Sequence, residues 1–422
     1  MRYLYSFFAV LIFWTCQKND SPDPSQPPTN IKLGKLYFGF NGTLTCVDIT
    51  TMTKAWEQPN VFAYSNVPLY DSGVVFTCNM YGATALDAVT GAIKWKTPYS
   101  SEAYVNNGLN YSCSPLIVDS LFYCLGFTGS YGFANAYCLN KRTGSMVWQS
   151  RISSGAAPLV KNLSTPIAFG DKLILAGASW DGINKLMCYN RFTGQVLWQT
   201  DVFQMQINPS NYPRTDGTTI FVDDVKSGQV HGFDISTGQK KWTSSLPTGP
   251  QVTDRMYLWG NYIIAISEFD APSHPSYIYK IDKNAGSLTG TISLPKYVVS
   301  IIVKDNDVYA SSATITYKYD LNSLSKKWEA THPSKAKIDS QVAANNIQFS
   351  DLGEIITTDQ YSLNYYRLFL YTSPYCESEF TLIDNNTGKI LKTYSNKCEI
   401  MLPEKYLFVV DKKAYYPSQG GM

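Results

Sequence analysis

Histidines, paired carboxylates and cysteines are the residues of this chain best suited to chemistry, and their spacing predicts no catalytic centre. The three histidines, His231, His274 and His332, stand far apart and lack ligand-like spacing to cysteine or to one another. Asp223 and Asp224 come closest to a calcium site, but such a site needs several oxygen ligands in one loop, and two carboxylates at a strand end are more often solvated. No phosphate-binding glycine loop, Gly-x-Ser-x-Gly elbow or His-Glu-x-x-His is present. We therefore expect no enzyme activity, no metal and no cofactor.

Cys16 points to a different chemistry, the attachment of lipid. Residues 1–15 hold one Arg and an apolar run too short to span a bilayer, which predicts a signal peptide. Cys16 follows directly, and a polar stretch with four prolines comes after it. This order resembles a bacterial lipoprotein, so residues 16–32 are expected to be a lipidated cysteine and a tether. Because Phe13, Trp14 and Thr15 depart from the usual residues before such a cysteine, an ordinary signal peptide with an incidental cysteine is the alternative.

The elements that must position these residues form an eightfold repeat. Eight times a short strand ends in Asp or Asn, turns and enters a second strand, and six times a Trp stands eight residues later, although the chain has only nine Trp. Consecutive copies begin 38 to 64 residues apart, mostly near the ~40 to 50 residues of a four-stranded propeller blade. The repeated turn residues and Trp are Asp48 and Trp56; Asp87, Gly91 and Trp95; Asn140, Gly144 and Trp148; Asn190, Gly194 and Trp198; Asp234, Gly238 and Trp242; Asp282 and Gly286; Asp320 and Trp328; Asp384 and Gly388.

Each copy reads as a β-hairpin, because apolar residues at strand spacing flank a polar turn. The Asp or Asn can accept hydrogen bonds from backbone N–H groups two residues on, and the glycine four residues later can adopt a positive φ. We therefore expect the acid to close the turn rather than to act in catalysis. The Trp is expected to cover the gap between neighbouring sheets, burying ~150 to 250 Å².

The cysteines beyond Cys16 number eight and can pair fully in an oxidising compartment. Cys113 and Cys124 flank a tight turn and are one candidate disulfide. Cys376 and Cys398 bracket the last repeat and are a second. Three others share one repeat position, two residues before the Asp or Asn, which suits small buried side chains better than a metal site: Cys46, Cys138 and Cys188.

A further apolar strand precedes most hairpins, and no stretch beyond the N-terminus has convincing helical periodicity. The chain is therefore predicted to be all-β, with residues 33–422 forming a β-propeller of four-stranded antiparallel blades. We expect eight blades, with seven as the alternative. The strands near residues 406–416 carry no hairpin of their own and are expected to pair with the N-terminal strands, which closes the ring and removes exposed sheet edges.

The hairpin segments at residues 86–95 (LDAVTGAIKW) and 139–148 (LNKRTGSMVW) resemble the PQQ-type, or pyrroloquinoline quinone, β-propeller repeat. The resemblance extends over about residues 33–417. It implies a fold rather than a function, because the repeat serves both quinoprotein dehydrogenases and the BamB-like lipoproteins of outer-membrane assembly. The dehydrogenases are longer and carry two adjacent cysteines, a catalytic Asp and a calcium site, whereas no two cysteines are adjacent here. The resemblance therefore favours a BamB-like, non-catalytic scaffold that binds an envelope protein partner, and a dehydrogenase dependent on pyrroloquinoline quinone is the less favoured alternative.

Charge and tyrosine content bear on the partners. The net charge is +2 and no basic block is present, so nucleic-acid binding is not expected. Two connections look long, Tyr99–Ser112 and Thr331–Phe380, and exposed tyrosines there would suit protein contacts or stacking on sugars. A surface-exposed lipoprotein that binds glycan or protein is therefore the alternative function. We expect a monomeric ring anchored in the outer membrane, on the periplasmic face or at the cell surface. The second connection contains Tyr361, Tyr365, Tyr366 and Tyr371.

Overall fold

The computed structural model describes eight antiparallel β-sheets. Within the residues it covers, no helix has the length and apolar character needed to cross a bilayer. The predicted signal peptide and tether, residues 1–32, lie outside them. The described residues are 35–40, 42–48, 53–61, 68–79, 82–98, 115–128, 133–152, 160–179, 183–203, 213–224, 227–247, 252–267, 276–294, 298, 300–312, 314–333, 335, 340, 347–357, 360–370, 376–397, 406–410 and 413–415.

Short strands follow one another along the whole described chain. The first sixteen are β1 (Lys35–Phe40), β2 (Thr43–Asp48), β3 (Thr53–Gln58), β4 (Leu69–Asp71), β5 (Val74–Asn79), β6 (Gly82–Asp87), β7 (Ile93–Pro98), β8 (Leu116–Val118), β9 (Leu121–Thr128), β10 (Phe133–Asn140), β11 (Met146–Ile152), β12 (Val160–Leu163), β13 (Ile167–Phe169), β14 (Lys172–Ser179), β15 (Ile183–Asn190) and β16 (Val196–Phe203).

The second half of the chain continues in the same way. Its strands are β17 (Arg214–Thr215), β18 (Thr219–Asp224), β19 (Gln229–Asp234), β20 (Lys240–Ser245), β21 (Val252–Trp259), β22 (Tyr262–Ser267), β23 (Tyr277–Asp282), β24 (Leu288–Ser293), β25 (Ser300–Lys304), β26 (Asp307–Ser311), β27 (Ile315–Asp320), β28 (Lys326–Thr331), β29 (Ile347–Thr357), β30 (Tyr361–Leu370), β31 (Cys376–Asp384), β32 (Ile390–Lys397), β33 (Tyr406–Val410) and β34 (Lys413–Tyr415).

Each sheet is one blade of a β-propeller. Blades 2 and 3 are β4–β7 and β8–β11, blade 4 is β12–β16, and blades 5 to 8 take four strands each from β17 to β32. Blade 1 combines β1–β3 with β33 and β34 from the other end of the chain, and β33 pairs with β1 so that Lys35 lies opposite Val409. The predicted eight blades and the predicted closure are confirmed. Blades 1 and 4 each add a fifth strand to the four.

The last strand of each hairpin lies at the outer edge of its sheet and carries a β-bulge. In blade 3, Leu139 pairs with Met146 and Cys138 with Trp148, so Val147 between them has no partner. The same register shift recurs in the other seven blades. A bulge bends an edge strand and interrupts its free hydrogen-bonding groups, which hinders pairing with a further strand.

The repeated Asp or Asn closes the hairpin turn. The Oδ1 of Asp87 accepts hydrogen bonds from the backbone N–H groups of Val89 and Thr90, both at 3.0 Å, and from the Thr90 hydroxyl at 3.1 Å. These donors stabilise the carboxylate and lower the pKa of Asp87 to about 2. Gly91 follows with a φ of 73°. The same two backbone bonds are made by the side chains of Asn140, Asn190, Asp234, Asp282, Asp320 and Asp384.

The Trp of one blade packs against the glycine turn of the next blade. A Cβ built on Gly194 would lie 2.6 Å from Cε3 of Trp148, so the indole can take this place only because the turn residue has no side chain. Gly194 also has a φ of 72°, which favours glycine independently. The six such pairs are Trp56 with Gly91, Trp95 with Gly144, Trp148 with Gly194, Trp198 with Gly238, Trp242 with Gly286, and Trp328 with Gly388.

The hydrophobic core lies between blades. One cluster joins Tyr123 and Trp148 of blade 3 to Leu175 and Met187 of blade 4. Six further clusters join the other neighbours in ring order, from blades 1 and 2 to blades 7 and 8. Each sheet therefore buries its faces against its neighbours, and the stability of a blade depends on the blade beside it.

The prediction of a long connection at Thr331–Phe380 is wrong. The strands β29, β30 and the start of β31 lie inside this range and open blade 8. Tyr361 and Tyr365 stand in β30, paired with Asp384 and Phe380. These opening strands carry neither the turn acid nor the Trp, so the repeat signature could not reveal them, although their aromatic and aliphatic composition is typical of strands. Tyr371 and the connection at residues 99–112 lie outside the described residues.

Replacing Gly194 with alanine tests the packing of the indole on the turn. We expect a loss of about 2 to 4 kcal/mol in the free energy of unfolding, because the left-handed turn is strained and the methyl group overlaps Trp148. Gly260→Ala is the matched control, since Gly260 also has a positive φ of 55° but no atom within 4 Å of an added Cβ. Urea unfolding of both variants gives the comparison, and equal losses would contradict the proposed contact.

Candidate functional site

The face of the ring that carries the hairpin turns, here called the turn face, brings the repeated residues together at the blade junctions. The indole N–H of Trp95 donates a 2.9 Å hydrogen bond to the carbonyl of Lys141, which follows the turn residue Asn140 of the next blade. This arrangement satisfies a backbone acceptor across the junction. Equivalent bonds of 2.8 to 3.2 Å run from Trp56 to Ala88, Trp148 to Arg191, Trp198 to Ile235, and Trp328 to Asn385.

At the junction between blades 6 and 7, the bulky side chain and the glycine have exchanged blades. Gly290 takes the position of the Trp, and Leu324, with a φ of 57°, takes the position of the glycine and fills the space above Gly290. Lys280 supplies the missing donor, because its Nζ lies 2.9 Å from the carbonyl of Leu321, the equivalent of the carbonyls that the indoles bind. The ammonium group also lies 4.2 Å from the centre of the Tyr262 ring. Neither Lys280 nor Leu324 matches the repeat motif, so their role was missed from the sequence.

Among the described residues, ion pairs cross three junctions on the turn face. In each, the basic residue directly follows the repeated Asp or Asn, and the acid belongs to the preceding blade. The hydrogen bond from Lys141 is the main cause that lowers the pKa of Asp71. These pairs are partly buried, so salt screens them less than it screens pairs on the open surface. The pairs are Asp71 with Lys141 at 2.5 Å, Asp119 with Arg191 at 2.6 Å, and Asp216 with Lys283 at 3.3 Å.

The cysteines at the shared repeat position lie in the core. Cys138 and Cys188 are free, fully buried thiols that lie opposite Trp148 and Trp198 on the neighbouring strand. Burial raises the pKa of each thiol to about 12, so both stay protonated at neutral pH and are poor nucleophiles and metal ligands. Cys46 occupies the same position and is fully buried.

The two candidate disulfides remain predictions. Cys113 and Cys398 lie outside the described residues, and the side chain of Cys376 is not described. Cys124 is fully buried in β9.

Asp223 and Asp224 are buried, which corrects the expectation that they are solvated. They lie in β18 with 2 % and 3 % of their surface exposed. Asp224 accepts a 2.5 Å hydrogen bond from the Ser227 hydroxyl at the turn into β19, so this carboxylate has a structural partner. On β19, Nδ1 of His231 lies 2.9 Å from the Thr243 hydroxyl oxygen. In the part of the chain that the structure covers, no three His, Cys, Asp or Glu side chains gather into a metal-binding group.

His332 belongs to a buried polar network between blades 7 and 8. Its Nε2 lies 2.9 Å from the Thr316 hydroxyl, which lies 2.9 Å from the hydroxyl of Ser311. Asn364 of blade 8 donates to Ser311 across the junction. All four side chains are at most 1 % exposed, so this hydroxyl–imidazole pair cannot meet a substrate and instead joins the two blades. His274 lies outside the described residues.

The exposed apolar side chains are concentrated on three neighbouring blades. Nine large apolar side chains are exposed in the described part of the chain, and eight of them belong to blades 2 to 4. They lie at the hairpin turns and at the start of the edge strands, apart from Phe169 at the turn between β13 and β14. We call this set the apolar rim: Val89, Ile93, Met146, Val147, Phe169, Phe192, Val196 and Leu197.

Trp95→Phe and Trp242→Phe separate the hydrogen bond of the indole from its packing. Both rings are partly buried, but the N–H of Trp242 has no hydrogen-bond partner whereas that of Trp95 binds Lys141. We expect Trp95→Phe to cost about 1 kcal/mol more than Trp242→Phe in the free energy of unfolding, since only the first change breaks a bond. Urea denaturation followed by circular dichroism measures the difference. A larger loss for Trp242→Phe would contradict this assignment.

His231 is expected to make stability depend on pH in mildly acidic solution. Desolvation by burial is the main cause that lowers its pKa to about 4. The unfolded chain binds a proton near the ordinary value of 6.5 while the folded chain does not, so stability falls as the pH falls from about 6.5 to about 4. Linkage gives a loss of about 2 kcal/mol between pH 7 and pH 5.

His231→Gln removes this titrating group and is expected to flatten the pH dependence over that window. Unfolding midpoints in urea at pH 7, 6 and 5 measure the slope for both proteins. Asp87 and Asp320, each with a pKa of about 2, keep their contribution until the pH falls below about 4 and do not interfere. The same slope in both proteins would contradict the neutral, buried state of His231.

Pyrroloquinoline quinone and Ca²⁺, which the quinoprotein dehydrogenases of this repeat type use, do not fit the residues present. No two of the nine cysteines are adjacent in the sequence. Asp223 and Asp224 lie in one strand, with Asp224 already bound to a neighbouring hydroxyl. Ca²⁺ takes six to eight oxygen ligands, and the described carboxylates form no such group.

Known proteins share this repeat and this architecture. A family model described as "Outer membrane protein assembly factor BamB" matches residues 40–179 and 132–394. The chain is 25 % identical over 251 residues to outer membrane protein assembly factor BamB of Burkholderia pseudomallei, covering 56 % of this chain and 60 % of that protein. It is 22 % identical over 192 residues to tetrathionate hydrolase of Acidithiobacillus ferrooxidans, covering 43 % and 36 %. The match thus spans less than two thirds of either relative.

The crystal structure of BamB from Moraxella catarrhalis superposes with a TM-score of 0.50 at 16 % identity, covering 78 % of this chain and 92 % of that one. At this identity the likeness concerns the fold. The family model, in contrast, covers most of the sequence. It leaves out most of β1 and the end of β32, together with β33 and β34. The chain therefore belongs to the family of the outer membrane protein assembly factor BamB.

Proposed function

We propose that this protein is a non-catalytic, lipid-anchored β-propeller scaffold that binds an envelope protein partner during outer-membrane protein assembly. The family match over residues 40–179 and 132–394 is the observation that supports this function. The repeated side chains agree with it, because they are used in contacts between blades and leave a rigid ring with its loops available for binding. The proposal extends to this chain the role that the family description names.

Cys16 is the proposed attachment point. Lipid on its sulfur would hold the ring at the outer membrane through the proline-containing segment that follows, with the ring acting as a monomer on the periplasmic face or at the cell surface. The alternative, a surface-exposed lipoprotein that binds glycan or protein, relied on tyrosines in two long connections. Tyr361 and Tyr365 of the second connection stand in β30, and the first connection lies outside the described residues. The assembly role is therefore the better supported of the two.

The anchor is tested by Cys16→Ala in the source organism. We expect the variant to leave the membrane fraction for the soluble envelope fraction when membranes are washed at high salt, because a ring without lipid has no spanning segment among its described residues and salt screens electrostatic binding to lipid. Lys18→Ala is the matched control, since it changes the same polar segment but keeps the cysteine. A Cys16→Ala protein that fractionates with the membrane as completely as the control would contradict lipid anchoring at this residue.

The scaffold role is tested by deleting the gene and measuring folded outer-membrane β-barrels by their heat-modifiable mobility in electrophoresis. We expect fewer folded barrels in the deletion strain and recovery on complementation with the wild-type gene. Unchanged barrel levels would contradict a role in assembly. Reduction of a dye after addition of pyrroloquinoline quinone and Ca²⁺ to the purified protein would contradict the non-catalytic assignment.

A further inference from the structure

The apolar rim is a property of three blades and is not required by the repeat. The first residue of the edge strand is Ile93, Met146 and Val196 in blades 2, 3 and 4, but Lys240 in blade 5 and Lys326 in blade 7. These five positions are all exposed, so the fold accepts a charged side chain there. Blade 6 also has an exposed apolar residue at this position, Leu288, and blade 8 a half-buried one, Ile390. Exposed apolar groups that cluster on one part of a surface indicate a binding site.

At the bulge, blades 3 and 4 have the exposed apolar residues Val147 and Leu197. The bulged residue is a lysine in blades 2, 5 and 7 (Lys94, Lys241 and Lys327) and the half-buried Leu391 in blade 8. Equivalent positions of a propeller lie at one height around the ring, so the rim residues of blades 2 to 4 form a continuous sector of the turn-face edge.

The bulges bear on the kind of partner that this sector can bind. Each edge strand is interrupted at the residues that form the rim, as Val147 shows by having no pairing partner. A strand of another protein could therefore not extend the sheet at this point. What remains is a row of exposed apolar side chains, which is suited to insertion into a soft layer such as the headgroup region of a bilayer.

The charges beside the rim point the same way. The described residues of blades 2 to 4 hold nine Lys and Arg against five Asp, a surplus of four, whereas the described residues from 213 to 397 hold fifteen Lys and Arg against fifteen Asp and Glu. All five acids of blades 2 to 4 form salt bridges with basic residues of the same three blades. Lys96 and Arg142 are exposed next to the rim and form no salt bridge with any described residue. Exposed cations beside apolar side chains attract anionic lipids.

The course of the chain brings this sector near a membrane. Eighteen residues separate Cys16 from Lys35, where β1 begins in blade 1, and blade 1 is the neighbour of blade 2. Eighteen residues span at most ~65 Å even when fully extended. Lipid on Cys16 would therefore keep blades 1 and 2 within reach of the bilayer, and this step alone rests on the proposed anchor.

We propose that the apolar rim is a membrane-binding surface that inserts among the headgroups of anionic phospholipids and holds blades 2 to 4 of the ring against the bilayer. The side chains of Ile93, Val147 and Phe192 enter the interface, while Lys96 and Arg142 contact the phosphates. The ring then has a fixed orientation, with blades 5 to 8 directed away from the lipid. The lipid anchor tethers the protein, and the rim orients it.

Vesicle binding by the chain from residue 16 onward, carrying Cys16→Ala, tests the rim without the anchor. Co-sedimentation with phosphatidylethanolamine vesicles containing one quarter phosphatidylglycerol is compared with phosphatidylcholine vesicles. We expect at least tenfold stronger binding to the anionic vesicles, and at least tenfold weaker binding after the triple change Ile93→Ser, Met146→Ser and Val196→Ser. Lys96→Gln with Arg142→Gln is expected to weaken binding to anionic vesicles alone.

Leu288→Ser is the matched control, because Leu288 is exposed at the same repeat position in blade 6, outside the rim. It should bind vesicles within twofold of the unchanged ring. All variants alter exposed residues, and equal urea midpoints verify that they fold. Absence of binding to either vesicle, or equal binding by the triple variant, overturns the proposal. A ring that forms dimers in solution by light scattering, which the triple change dissolves, and that ignores vesicles would show a contact between copies instead. None of these results depends on Cys16, so they leave the proposed anchor and assembly role to their own tests.

Discussion

The propeller depends on the close approach of a Trp indole to the backbone of a hairpin turn in the next blade. It requires three things from the neighbouring blade: a turn held by an Asp or Asn side chain, a residue in the left-handed conformation, and no Cβ at that residue. Gly194 meets the last two conditions against Trp148, and the N–H of the indole then reaches a carbonyl in the same turn. One aromatic side chain therefore joins packing, hydrogen bonding and turn geometry, and its repetition sets the angle between successive blades.

The junction between blades 6 and 7 shows which part of this contact is essential. There the large side chain belongs to the second blade, as Leu324, and the glycine to the first, as Gly290. A bulky side chain fills the gap here as at the other junctions, but it comes from the second blade instead of the first. The donor is conserved too, since Lys280 reaches the carbonyl that an indole would otherwise bind. A junction thus needs one bulky group and one gap, and the chain can distribute them in more than one way. A donor to the turn carbonyl accompanies them at most of the described junctions, although the N–H of Trp242 between blades 5 and 6 makes no such bond.

The sequence predicted the parts of the fold that repeat. The spacing of Asp or Asn to Trp established the hairpins, their number and the all-β class, because turn chemistry is local and is written in a few residues. The opening strands of blade 8 were missed, since β29 and β30 pair with each other and with β31 but contain neither the turn acid nor the Trp of the repeat. The burial of Asp223 and Asp224 was also missed, because exposure at a strand end is decided by the neighbouring blade. The apolar rim was hidden for a related reason: Val196 and Leu197 look like core residues in a strand until the structure places that strand at the edge.

The pairing of β1 with β33 has a consequence for the order in which the molecule is made. Lys35 and Val409 lie 374 positions apart, so the first blade cannot be completed until almost the entire chain has been synthesised. Contacts this distant in sequence are slow to form, because a long loop must close before they contribute stability. Until then β1 presents an open row of backbone groups, and the seven later blades, each stabilised by its neighbour, can assemble ahead of it. Ring closure is therefore a late event in the biogenesis of this protein. A chain released before its last residues were made would remain an open propeller, with the backbone groups of β1 available for pairing with other strands.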